Sequence, residues 1–173
     1  MKYRYTLLLF FLGLLIQSTL MVHFRVLGVT PNIVLCFVTL LSFLYEGNQG
    51  VILGVICGLL QDLFFSVIIG PAAIAYFIVA LVMEILKRLL YRDSILSIFF
   101  ASLIGTFTFY IINWGIVSIF GGTYSFLYIL KKLPILAIYH FVIMLIFYLT
   151  VGRKTIRYPQ DRYYKKSTFL YYE

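Results

Sequence analysis

The chain has 173 residues, 63% of them hydrophobic and 12% charged, and a mean hydropathy of +1.03. Soluble domains run at about 45–50% apolar and about 25% charged, so this composition excludes a water-soluble fold and describes a polytopic membrane protein lying almost wholly inside the bilayer. The net charge of +8 does not point to nucleic acid, because the basic residues divide by side of membrane and not along one face.

Lys2 and Arg4 lead into an apolar run from Leu7 to Val22. The pattern resembles a signal peptide, but no small-x-small cleavage site precedes Phe24, and an uncleaved first helix is expected over about 5–24. A second helix is expected to open at Pro31, whose fixed φ and missing N–H suit a first turn, and to run over about 31–45. Fifteen residues rise only ~22 Å, short of the ~30 Å hydrocarbon core, so this helix needs protein or thinned lipid around it.

The third helix, about 50–66, follows a polar turn and closes before Gly70-Pro71. The fourth, about 71–90, leaves the membrane at Lys87, Arg88 and Arg92, and the fifth, about 95–120, stops at Gly121-Gly122. Residues 123–128 are expected to be an interfacial connection leading to Lys131 and Lys132, with Pro134 opening a sixth helix over about 133–152. The spans together make one six-helix transmembrane domain, 1–152. A basic, tyrosine-rich cytoplasmic tail, 153–173, carries six of the fourteen basic residues and five tyrosines. Such a tail is expected to adhere to anionic lipid, or to serve only as a stop-transfer cluster.

Six spans put both termini on one side. If that side is cytoplasmic, eleven of the fourteen basic residues lie inside and only Arg25, Lys131 and Lys132 outside, which is the bias that orients inner-membrane proteins with N and C termini cytoplasmic.

Gly50, Gly54, Gly58 and Asp62 recur at four-residue spacing, so on a helix they form one ridge: a flat groove ending in a carboxylate. Glycines so placed let another helix approach closely, either one of this chain or one from a partner. The residues from Pro31 to Tyr76 also carry a likeness. Pro31-Asn32 entering a short apolar segment, the Glu46-Gly47 turn, G-x-x-x-G-L-L-Q-D-L-F from Gly54 to Phe64, and Gly70-Pro71 followed by Ala72, Ala73, Ala75 and Tyr76 resemble the rod-shape-determining protein MreD family.

The resemblance implies a non-enzymatic subunit of the bacterial elongation complex (elongasome) at the inner membrane, a partner of the single-pass protein MreC. Through MreC it implies links to the actin-like MreB filament, the wall polymerase and a penicillin-binding transpeptidase of peptidoglycan synthesis. It also implies an all-α fold similar to the six-helix substrate-binding subunits of energy-coupling-factor transporters, which makes a vitamin-type transport subunit the alternative function.

With the orientation above, Gln17, Asn32, Gln61, Asp62, Asn113 and His140 fall in the outer half of the bundle. Each must avoid lipid, so they are expected to converge on a shared interior or cavity. Three explanations are open for that cluster. One is a packing network with Asp62 protonated or paired with His140; the others are a partner groove using the glycine ridge and a ligand pocket. A proton relay through Asp62 and His140 lacks further titratable groups.

Glu84, three and four residues before Lys87 and Arg88, is expected to form an interfacial ion pair with them. Cys36 and Cys57 each sit mid-helix as small apolar residues, with neither disulfide nor metal expected. No nucleophile motif, phosphate loop or metal-ligand spacing is present, so neither catalytic residues nor a cofactor are assigned.

Overall fold

The computed structural model describes residues 3–19, 28–45, 48–66, 68–91, 94–122 and 125–152. Among them the chain is all-helical: α1 (Tyr3–Thr19), α2 (Ile33–Leu44), α3 (Gln49–Phe65), α4 (Pro71–Leu89), α5 (Ile95–Ile119) and α6 (Phe126–Phe147), which runs into a π turn at Tyr148–Gly152. The expected end of the first helix at 20–24 and the basic tail lie outside the described residues.

α2 is the hub. It has 12 residues, every one of them buried, and its composition, IVLCFVTLLSFL, is apolar on all sides. A helix of that length rises ~18 Å. It packs on each of the other five helices, which are arranged around it in the order α1, α3, α4, α5, α6. Consecutive members of that ring pack on one another, but α1 and α6, its two ends, make no comparable contact. The hub is nonetheless enclosed on every side, since no residue of α2 is more than 7% exposed.

Close approach to the hub uses missing side chains. A Cβ on Gly13 of α1 would lie 2.7 Å from the Phe37 ring, and one on Gly105 of α5 would lie 2.8 Å from Thr39 Oγ1. A Cβ on Gly50 would overlap the Ser42 hydroxyl. Gly54 faces Val38 of α2 and Tyr76 of α4, while a Cβ on Gly58 would come within 2.5 Å of the Ala73 Cα. The glycine ridge of α3 is thus filled by α2 and α4 of the same chain. A partner's helix has no room there.

Two helix starts differ from the sequence expectation. Pro31 does not open α2; Asn32 is its N-cap, with extended φ and ψ of −103° and 100°, because the Asn32 side chain accepts from the Leu35 N–H and closes the first turn. α6 begins at Phe126 and carries Pro134 inside it, so residues 126–132 are helical and not a connection. Pro134 has no N–H for the Leu130 carbonyl, a loss that this long apolar helix absorbs.

α5 and the α6 segment Phe126–Thr150, at 25 residues each, are long and apolar enough to cross a membrane. Large apolar side chains cover the exterior, among them Leu7, Phe11, Leu63, Phe64 and Ile138. At the far end of α4, Glu84 pairs with Lys87, whose Nζ also donates to the Tyr45 carbonyl at 3.4 Å. The exposed Arg88 takes no part in that pair, which corrects the expected three-residue arrangement.

The packing at Gly58 yields a discriminating test. Gly58→Leu drives new atoms into the Ala73 backbone, which cannot step aside, and is expected to cost about 2–3 kcal/mol or prevent folding. Gly115→Ala meets nothing within 4 Å and, inside α5, is expected to raise stability by up to about 1 kcal/mol. Thermal unfolding of the two purified variants in one detergent checks the contrast, and equal midpoints would refute the packing described.

Candidate functional site

The start of α2 is a buried helix N-terminus, so its N–H groups need acceptors that water cannot supply. Each finds one. The Asn32 N–H donates to His140 Nε2 at 2.9 Å, the Val34 N–H to Gln17 Oε1 at 3.2 Å, and the Leu35 N–H to Asn32 Oδ1 at 2.9 Å. Side chains from α1 and α6 thus cap the helix between them.

A backbone N–H can only donate, so the nitrogen it meets on His140 is a bare acceptor and the ring proton sits on Nδ1. Nδ1 lies 2.9 Å from Thr106 Oγ1 on α5, to which it donates. The His140 carbonyl in turn receives the Cys36 thiol, at 3.8 Å. Both ring nitrogens are engaged in one tautomer, and the ring itself lies nearly parallel to Tyr110, 6.5 Å away.

Tyr76 carries the network onward to α3. Its hydroxyl accepts from Asn32 Nδ2 at 2.7 Å and gives its one proton to Gln61 Oε1 at 2.6 Å. The phenol ring is fully buried and stacked on Phe109 at 4.8 Å.

Asp62 stands apart from this set. Its Oδ2 accepts from the Gly70 and Ala72 N–H groups, both at 2.9 Å, and so caps the start of α4. Gly70 holds φ at +121°, a conformation that glycine adopts without strain, and Pro71 has no N–H to satisfy. The carboxylate is 3% exposed and sits where the helix dipole is positive. The expected Asp62–His140 pair does not form: His140 bonds to Asn32 and Thr106, Asp62 to the backbone of α4.

Of the six predicted polar residues, Gln17, Asn32, Gln61 and His140 join one network, and Asn113 faces the first three across a cavity of about 400 Å³. Ser18, Thr30, Pro31, Phe65, Phe109 and Tyr110 complete its wall. Asn113 has no hydrogen-bond partner among the described residues. His140 lies mid-helix and not early in its helix, because α6 starts eight residues before Pro134.

Sequence reasoning missed Tyr76 and Thr106, the two hydroxyls that join the network's parts. Tyr76 was detectable: a phenol following Ala72, Ala73 and Ala75 in an apolar helix must find a partner for its hydroxyl. Thr106 gave no such signal, since threonine in a membrane helix commonly bonds its own backbone.

An apolar exterior around a hub helix, with polar side chains gathered at one interior end, defines a helical membrane protein held together from within. The chain matches the family model of the rod shape-determining protein MreD over residues 2–154, and it belongs to that family. No curated protein and no solved structure matches it. Membership supports a role in determining rod shape within the MreB/MreC complex, in a family of structural proteins.

The cap at Asp62 can be tested directly. Asp62→Ala strands the buried Ala72 N–H and the part-buried Gly70 N–H and is expected to cost about 2–4 kcal/mol, whereas Asp62→Asn, which keeps an acceptor oxygen, costs less than half as much. Denaturant titration in mixed micelles measures both. An alanine variant as stable as wild type would remove Asp62 from the structural role.

Proposed function

We propose that this chain is a six-span, non-enzymatic scaffold of the wall-elongation machinery with both termini in the cytoplasm. It binds the single-pass protein MreC and, through it, the MreB filament, the wall polymerase and a penicillin-binding transpeptidase. The family match carries this reading, because residues 2–154 take in every helix of the bundle. The basic residues support the orientation: eleven of fourteen fall on one side when six spans are drawn. The tail, on that side, adheres to anionic lipid.

The partner's helix does not enter the glycine ridge, which α2 and α4 fill. We assign it instead to the exposed apolar row of α1. That helix offers Leu7, Phe11 and Leu15 at four-residue spacing, 58%, 57% and 46% exposed. Van der Waals contact with that row drives association in lipid.

One observation favours a second reading, a vitamin-type transport subunit: the cavity of about 400 Å³ is of a size that takes small ligands. An energising ATPase module in a native pull-down, in place of MreC, would select it.

Two experiments bear on the first reading. Phe11→Ala combined with Leu15→Ala is expected to reduce co-purified MreC about tenfold, while Ile56→Ala with Leu63→Ala on α3 leaves it unchanged. Loss in both or in neither would rule out the α1 surface. For sidedness, a reporter fused after Gly152 should be active in the cytosol and silent when the same reporter is read from outside. The reverse outcome would overturn the topology.

A further inference from the structure

The polar network leaves a surplus. Gln17 and Gln61 use their side-chain oxygens on Val34 and Tyr76, and their Nε2 donors have no partner among the described residues. Asn113 contributes a whole free carboxamide, and the Tyr110 hydroxyl is likewise unpartnered among those residues. All four residues line the same cavity of about 400 Å³, together with the rings of Phe65 and Phe109.

A carboxamide presents a donor and an acceptor side by side, the pattern that vicinal hydroxyls match. Aromatic faces carry negative charge density that suits the C–H face of a saturated ring. No carboxylate lines the cavity, so nothing there selects a cation.

A second cavity of about 200 Å³ adjoins the first and shares Thr30 and Tyr110 with it. Lys132 lines it. The Lys132 ammonium donates to the Gly28 carbonyl at 3.3 Å and to the Tyr128 hydroxyl, and lies over the Tyr128 ring. An ammonium has three donors, so one is left over, and no carboxylate among the described residues pairs with it. An unpaired cation beside an uncharged, hydrogen-bonding cavity selects a ligand with one anionic end.

We propose that the two cavities form one binding site for a polyhydroxylated ring that bears a phosphate, the ring held among Gln17, Gln61, Asn113 and Tyr110 and the phosphate at Lys132. The site is independent of the α1 surface assigned to MreC. The ligand is either a free ring phosphate or the head group of a lipid.

Inositol provides both forms. The full-length protein in phosphatidylcholine nanodiscs is titrated with inositol 1-phosphate, and in a parallel arm phosphatidylinositol is incorporated into the disc. Trp114, the chain's one tryptophan and the residue after Asn113, reports occupancy by its fluorescence. Saturable binding is expected in one arm, which then identifies the source. Asn113→Leu should weaken it about tenfold, a change of one to two hydrogen bonds, with an unaltered unfolding midpoint. Lys132→Gln should abolish the preference for inositol 1-phosphate over inositol and yet retain the ring. No saturable response in either arm, equal responses to phosphatidylinositol and phosphatidylserine, or wild-type affinity in both variants would overturn the proposal.

Discussion

The N–H groups at the start of α2 determine how this bundle closes. In lipid an unmade backbone hydrogen bond costs several kcal/mol, and the hub helix cannot turn to solvent because all of its residues are buried. The acceptors come from Gln17 on α1 and His140 on α6. Those are the two helices at the ends of the ring, which barely touch one another. A requirement for backbone acceptors thus ties together the parts of the structure that packing leaves separate. The short hub is what creates the requirement: a longer α2 would carry its first turn out to the interface, where water meets it.

The same difficulty arises at the start of α4 and is solved with an acidic side chain. An acidic side chain enclosed in a membrane protein is costly unless it finds partners. Two backbone N–H groups at the start of α4 supply those partners. Asp62 is therefore tolerated because it completes a helix, with Gly70 turning the chain so that its own N–H and that of Ala72 both face the carboxylate. The neighbouring Gly58 lets α3 and α4 come close enough for the reach.

How much of this could be read beforehand depended on the kind of residue. The helical, lipid-embedded character and the existence of each helix followed from apolar runs broken at Gly-Pro, Gly-Gly and polar turns. The convergence of Gln17, Asn32, Gln61 and His140 was legible because lipid forbids the alternative. Partner choice was not: Asp62 with His140 is the obvious pairing of titratable groups, but backbone donors, invisible in a sequence as donors without acceptors, claimed both. Pro134 misled for a related reason. A proline is a good first-turn residue, yet in a long apolar helix the lost hydrogen bond is cheaper than ending the helix and exposing a whole turn of N–H and C=O groups.

These commitments divide the interior polar groups into two sets with different capacities. His140 has a donor on one nitrogen and an acceptor on the other already in use, and Asp62 holds two N–H groups on one oxygen. They are fastenings. Asn113, the Nε2 groups of Gln17 and Gln61, and the Lys132 ammonium hold nothing that the fold requires beyond the Gly28 carbonyl and the Tyr128 hydroxyl. Polar side chains in a membrane interior are costly, and those that do no structural work persist against that cost. Uncharged donors beside a single cation are suited to recognising a ligand.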